Sequence, residues 1–123
     1  MAQTNIDMLV DSLWSGEKSS GDTITLPARW QNHKFLGFRL SHYSYGSAII
    51  FAKVFTNDNP VIMFTMSGLA SAGTIQSIVM SGTLDVSTNT ITLGTQTACN
   101  QTSSGNNIFT TANMKITEVF GVG

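Results

Sequence analysis

Residues 35–66 decide the fold class: Phe35-Leu36-Gly37-Phe38-Arg39-Leu40, a polar Ser41-His42-Tyr43-Ser44-Tyr45-Gly46-Ser47, the apolar run Ala48 to Phe55 (AIIFAKVF), then Thr56-Asn57-Asp58-Asn59-Pro60 and Val61 to Met66 (VIMFTM). In the first segment Leu36, Phe38 and Leu40 share one face while Phe35 and Arg39 share the other, the period of two that belongs to a strand. Asn and Asp side chains imitate turn hydrogen bonds, and Pro60 drives its predecessor out of the helical region, so the chain reverses between the two apolar runs. Three strands and two reversals in 32 residues leave no space for a helix.

The same pattern extends in both directions. Upstream, residues 6–14 fit either helical spacing or a strand; strand character is favoured from about Leu9 and runs through Leu13-Trp14-Ser15-Gly16. Glu17 to Asp22 is a polar turn, and Thr23-Ile24-Thr25-Leu26-Pro27 alternates until proline stops it, so the two segments read as a hairpin. Ala28 to Lys34 reads as a turn. Downstream, Ser67 to Gly73 is small and flexible, and Thr74 to Val86 carries a strand with an expected break at Ser81-Gly82. A tight hairpin leads to Ile91-Thr92-Leu93. Thr95 to Asn107 (TQTACNQTSSGNN) is expected to be a long polar loop, and Met114 to Phe120 closes the chain as a strand.

About eight short strands with turns between them predict a single all-β domain over residues 1–123, an antiparallel β-sandwich of jelly-roll type, with residues 1–8 read as a connecting segment. The expected core is Trp14, Ile24, Leu26, Leu36, Phe38, Leu40, Ile49, Phe51, Ile62, Phe64, Leu84, Ile91, Leu93 and Ile116. Apolar side chains on both faces of Ala48 to Phe55 and of Val61 to Met66 call for something beyond one core to cover the second face.

Composition narrows the function. Only 11% of the 123 residues are charged, and the formal net charge is −1. Ser, Thr, Asn and Gln fill roughly a third of the chain, so the expected surface is neutral and hydroxyl-rich. No basic cluster exists to neutralise phosphates, which disfavours nucleic acid as a partner. No run approaches 18 apolar residues, which excludes a helical membrane span, and the opening residues lack the pattern of a secretory signal, so synthesis in a cytoplasm is expected. The single Cys99 closes no internal disulfide.

Catalytic and metal constellations are missing from the pattern. There is no G-x-S-x-G elbow, no phosphate-binding glycine motif and no calcium-loop spacing around Asn57-Asp58-Asn59. His33 and His42 bracket one strand, which sets them about 30 Å apart. The acidic residues fall in turns or at strand ends, Glu118 excepted. The expectation is therefore no catalysis, no cofactor and no metal. Flat aromatic faces beside amides and hydroxyls are, by contrast, what neutral glycan recognition uses. His42, Tyr43 and Tyr45 supply such faces in one loop. Asn100 and Gln101, with Asn106 and Asn107, supply amides in another. Arg29, Trp30 and His33 form a third group, in which Trp30 reads either as a core or interface residue or as a ligand contact.

Two further stretches carry a family resemblance. Leu13-Trp14-Ser15-Gly16, then Gly21-Asp22-Thr23-Ile24-Thr25-Leu26 and Asn32-His33-Lys34-Phe35-Leu36, together with the closing Lys115-Ile116-Thr117-Glu118-Val119-Phe120-Gly121-Val122, resemble the ends of small β domains at the tips of bacteriophage tail fibres and receptor-binding proteins. In that family L-W-S-G, G-T-I-T-L and N-Y-K-F open the domain and I-T-x-I-Y-G-I closes it. His33 here stands where Tyr is frequent, and Phe120 replaces a common Tyr. These are packing signatures at the two ends of the chain. The resemblance implies a homotrimer at a virion's fibre tip, joined to other phage tail proteins and contacting host polysaccharide or an outer-membrane protein. The alternative in another class is a structural virion component, for fibre trimerisation or capsid decoration, with no ligand of its own.

Overall fold

Phe38 and Phe64 meet edge-to-face at the centre of the molecule, with ring centroids 4.9 Å apart and planes at 68°. Each belongs to a strand whose even-numbered residues are apolar, and burying those two rows against each other sets two sheets face to face. The computed structural model describes residues 10–54 and 59–123. Among them are ten strands: β1 (Val10–Lys18), β2 (Thr23–Thr25), β3 (Phe35–His42), β4 (Gly46–Lys53), β5 (Val61–Ser71), β6 (Thr74–Asp85), β7 (Thr90–Leu93), β8 (Thr97–Thr102), β9 (Gly105–Thr110) and β10 (Lys115–Val122). One antiparallel sheet runs β1-β10-β3-β4. The other runs β2-β7-β6-β8-β9, with β5 along the free side of β6. The fold is an all-β antiparallel β-sandwich.

Leu36, Phe38 and Leu40 from β3 pack with Ile62, Phe64 and Met66 from β5 and with Ile78, Met80 and Leu84 from β6 in one buried cluster. Ile24, Ile91, Leu93, Met114, Ile116 and Val119 complete it, and Leu26 and Trp30 close it beside the five-residue 3₁₀ turn Ala28–Asn32. Buried aliphatic and aromatic side chains of this size contribute about 1.5–3 kcal/mol each, so this interior is the main source of stability.

Several expectations need correction. Ile49 and Phe51 are 45% and 59% exposed, whereas Ala48, Ile50 and Ala52 turn toward the core. Because every residue from 48 to 52 is apolar, alternation within β4 does not choose its inner face; pairing of Phe38 with Ile50 does. Trp14 is half-buried against the core. The segments read as a first hairpin do not pair: β1 joins β10 and β2 joins β7, so residues 19–22 carry the chain from one sheet to the other. Nor does β6 break at Ser81-Gly82. Gly82 is paired on both sides, with Ile62 and Leu93, and its missing side chain makes room for the Phe64 ring, which a Cβ there would approach to 2.7 Å. The stretch 95–107, expected as a loop, contains β8 and half of the β8-β9 hairpin. Residues 1–8, the proposed connecting segment, and Phe55, Thr56, Asn57 and Asp58 lie outside the described residues.

Where the chain changes sheets it needs a polar brace, and Gln96 supplies it. Fully buried, its Nε2 donates to the Met114 carbonyl at 2.8 Å and to Ser19 Oγ at 3.2 Å, while its Oε1 accepts from the Met114 N–H at 2.8 Å. Ser19 Oγ in turn donates to the Met114 carbonyl at 3.0 Å. One amide thus ties the β7-β8 connection to the start of β10 and the β1-β2 corner. Gln96→Leu keeps the volume but leaves the buried Met114 N–H without a partner and its carbonyl with Ser19 alone; it should cost about 1–3 kcal/mol by urea unfolding. Gln101→Leu, on the exposed face of β8, should change stability by no more than about 0.5 kcal/mol.

Candidate functional site

β6 is twelve residues long and β3 is eight. Inward-facing residues of β6 are apolar from Leu84 to Ile78, and the next one, Gln76, is polar. There the β3-β4 turn reaches across from the opposite sheet. Tyr45 lies over Gly68, where a Cβ would come within 2.3 Å of its ring, so only glycine lets the tyrosine settle flat on β5. Its hydroxyl donates to Gln76 Oε1 at 2.9 Å, and Gln76 Nε2 donates to Asn100 Oδ1 at 2.8 Å. Asn100 pairs across the ladder with Asn107. The aromatic loop and the amide hairpin, 55 residues apart at Tyr45 and Asn100, thereby become one surface.

His42 fixes the turn from behind. Its Nδ1 accepts the backbone N–H groups of Ser44 (3.0 Å) and Tyr45 (3.3 Å). Tyr45 stacks on the imidazole with centroids 4.2 Å apart and planes at 11°, and Tyr43 stacks at 4.6 Å and 22°. Two rings at such distances cannot share one face, so the order is Tyr43, His42, Tyr45. Tyr43 is 82% exposed and presents its outer face to solvent. Since Nδ1 is an acceptor, the neutral imidazole carries its proton on Nε2, and that atom is buried with no partner among the described residues. Burial lowers the His42 pKa from its ordinary value, and it raises that of Tyr45, with Tyr43 adding to the latter.

Two shallow clefts flank this surface. One, of about 590 Å³, runs between the sheets beside Tyr45, Ser47, Thr65, Ser67 and Ser77. The other, of about 460 Å³, lies on the larger sheet and offers Thr74, Asn100, Thr102, Ser104, Asn106 and Asn107, with no charged group in its lining. Such walls donate and accept hydrogen bonds without fixed charge, as suits hydroxylated ligands. Gln101 pairs across the ladder with Asn106 and Ile75 and lines neither cleft.

The third candidate group belongs elsewhere. Arg29 donates through Nε to Asp11 Oδ2 at 2.8 Å and through Nη2 to Oδ1 at 3.3 Å, and His33 Nε2 lies 3.0 Å from the same carboxylate. The Arg29 hydrogen bond, then that of His33, holds the Asp11 carboxyl below the usual carboxylate range. Trp30 is wholly buried, its Nε1 donating to Asn89 Oδ1 at 2.8 Å, so it offers no face to a ligand; the core reading of this residue is the one observed. These residues brace the end of β3 opposite the tyrosines. Asp11, Gln76 and Gly68 escaped sequence reasoning because their roles arise from cross-strand register, which the alternating pattern does not specify.

Among the described residues no group of three or more His, Cys, Asp or Glu is placed to hold a metal, and no helix is long and apolar enough to cross a membrane. No protein-family model, curated protein or solved structure matches the chain.

A depressed histidine pKa means the unfolded chain binds the proton more tightly. Stability contributed by neutral His42 is therefore present above the unfolded value near 6.5 and is lost as pH falls through the lower folded value. Chemical denaturation at pH 7 and pH 5 should show the native protein weakening more than His42→Asn, whose amide oxygen can still accept the turn N–H groups.

Proposed function

We propose that the chain is the receptor-binding domain of a phage tail fibre, a homotrimeric tip that attaches the virion to glycan on the host bacterial surface and performs no catalysis. Phage setting and trimer rest on the resemblance of the opening Leu13 to Leu36 segments and the closing Lys115 to Val122 strand to such domains. Glycan binding rests on one observation: the Tyr45-Gln76-Asn100 hydrogen-bond chain, which joins an exposed aromatic platform to an uncharged amide and hydroxyl cleft. Assembly is favoured by the outward Ile49 and Phe51 of β4 and the outward Val61, Met63 and Leu69 of β5, all 45–68% exposed and apolar. That apolar surface is also what the second reading, a trimerising structural component without a ligand, would require.

Individual sugar contacts are weak, so attachment draws on several copies acting together. Tyr43→Ala removes an exposed ring that supports nothing above it. Losing a stacking contact of about 0.5–1.5 kcal/mol at each of three sites should lower labelling of host cells by the fluorescent protein more than about tenfold. The thermal unfolding midpoint should fall by only a few degrees, the cost of losing the stack on His42, and sedimentation should still give three times the 13.2 kDa chain mass. Undiminished labelling removes the tyrosine turn from the site; a native protein that never labels cells or competes with phage adsorption favours the structural component.

A further inference from the structure

On the far side of the tyrosine stack the ends of β1, β3 and β10 frame a separate cleft of about 370 Å³, lined by Glu17, Ser41, His42, Tyr43, Asn113 and Lys115. Its chemistry differs from that of the uncharged clefts. Glu17 and Lys115 have no ion-pair partner among the described residues, although the ion pairs Arg29-Asp11 and Arg39-Glu118 form elsewhere on the surface. The side-chain amide of Asn113 is likewise unpaired among them. His42 adds the buried, unsatisfied Nε2–H, and Tyr43 adds a flat face open to solvent. A buried N–H without an acceptor is disfavoured, and His42 itself lines this cleft, so the orphaned donor favours a ligand that brings an oxygen acceptor.

We infer that this cleft is a subsite for an acidic sugar residue, a hexuronate whose carboxylate meets Lys115, Asn113 and the His42 N–H while its ring lies on Tyr43. Glu17 sets the rest of the specificity. A carboxylate lining the same cleft as the ammonium repels a phosphate dianion more than a monoanion, and it accepts the hydroxyls that a uronate carries next to its own charged group. The inference deepens, and rests on, the reading of the chain as a glycan-binding domain, adding an acidic residue to an otherwise neutral ligand.

The test is an amide NMR titration of the intact chain with methyl β-D-glucuronide, methyl β-D-glucoside and glucosamine. The glucuronide should shift Tyr43, Asn113 and Lys115 and bind about tenfold more tightly than the glucoside, one charge-assisted contact's worth. Lys115→Gln should abolish that preference, Lys115→Arg should retain it, and both should melt like the native protein. Equal affinity for glucuronide and glucoside, tighter binding of glucosamine, a preference unchanged in Lys115→Gln, or shifts confined to Asn100 and Asn107 would each overturn the subsite. Cell labelling separates the two claims: native protein that labels host cells while failing the titration retains the receptor-binding role without this subsite, and the converse result retains the subsite without that role.

Discussion

The inner face of β6 sets the limits of everything else. From Leu84 to Ile78 its apolar residues demand an opposing sheet, and β3 answers them with Leu36, Phe38 and Leu40. Beyond Ile78 the demand stops. β6 carries four more residues than β3, about 13 Å of strand, and β8, with β9 beyond it, is paired alongside its Ile75 to Val79 part. Tyr45 spans the last covered step. Past it stand Asn100, Thr102 and Asn107; Gln76 and the hairpin satisfy part of their hydrogen bonding, and the rest faces the cleft.

Polar groups inside the sandwich sort into two kinds. Ser19 and Gln96 satisfy each other and Met114 at the sheet-changing corner, so burial there makes the corner rigid. His42 is handled differently: one ring nitrogen organises a turn and the other is left unpaired. A fold able to satisfy a buried amide with three hydrogen bonds could satisfy an imidazole too, so the orphaned nitrogen accords with a ligand-binding end on the proposed receptor-binding reading.

The sequence made much of the sandwich legible because β2, β3 and β7 alternate sharply enough to name their inner faces. It failed at two kinds of place. In β4 five consecutive apolar residues carry no phase, so Ile49 and Phe51 were assigned inward although pairing with β3 turns them out. In β8 and β9 seven of the twelve residues are polar and only Ala98 is buried, so hydrophobic alternation gives no inner face even though the ladder with β6 is regular. The site was legible by residue type at Tyr43, Tyr45, Asn100 and Asn107, since rings and amides are recognisable wherever they fall. Which groups meet was not, because Gln76 connects them only through the β5-β6-β8 register.

The two ends of β3 are finished in opposite ways. At the Phe35 end His33 reaches Asp11 and the Gly123 carbonyl, Arg29 grips the same Asp11, and Val10 pairs with Val122. Asp11, Arg29 and His33 are spent on one another there, and chain preceding Val10 or following Gly123 would join at that end. At the His42 end Lys115 and Glu17 remain unpaired among the described residues and rings lie open. Anchoring on the braced end would leave the unfinished end pointing away from whatever carries the domain, with its loops farthest from the anchor. On the receptor-binding reading this is the required polarity, since the surface that must change with the receptor is then the one on which neither the core nor the attachment depends.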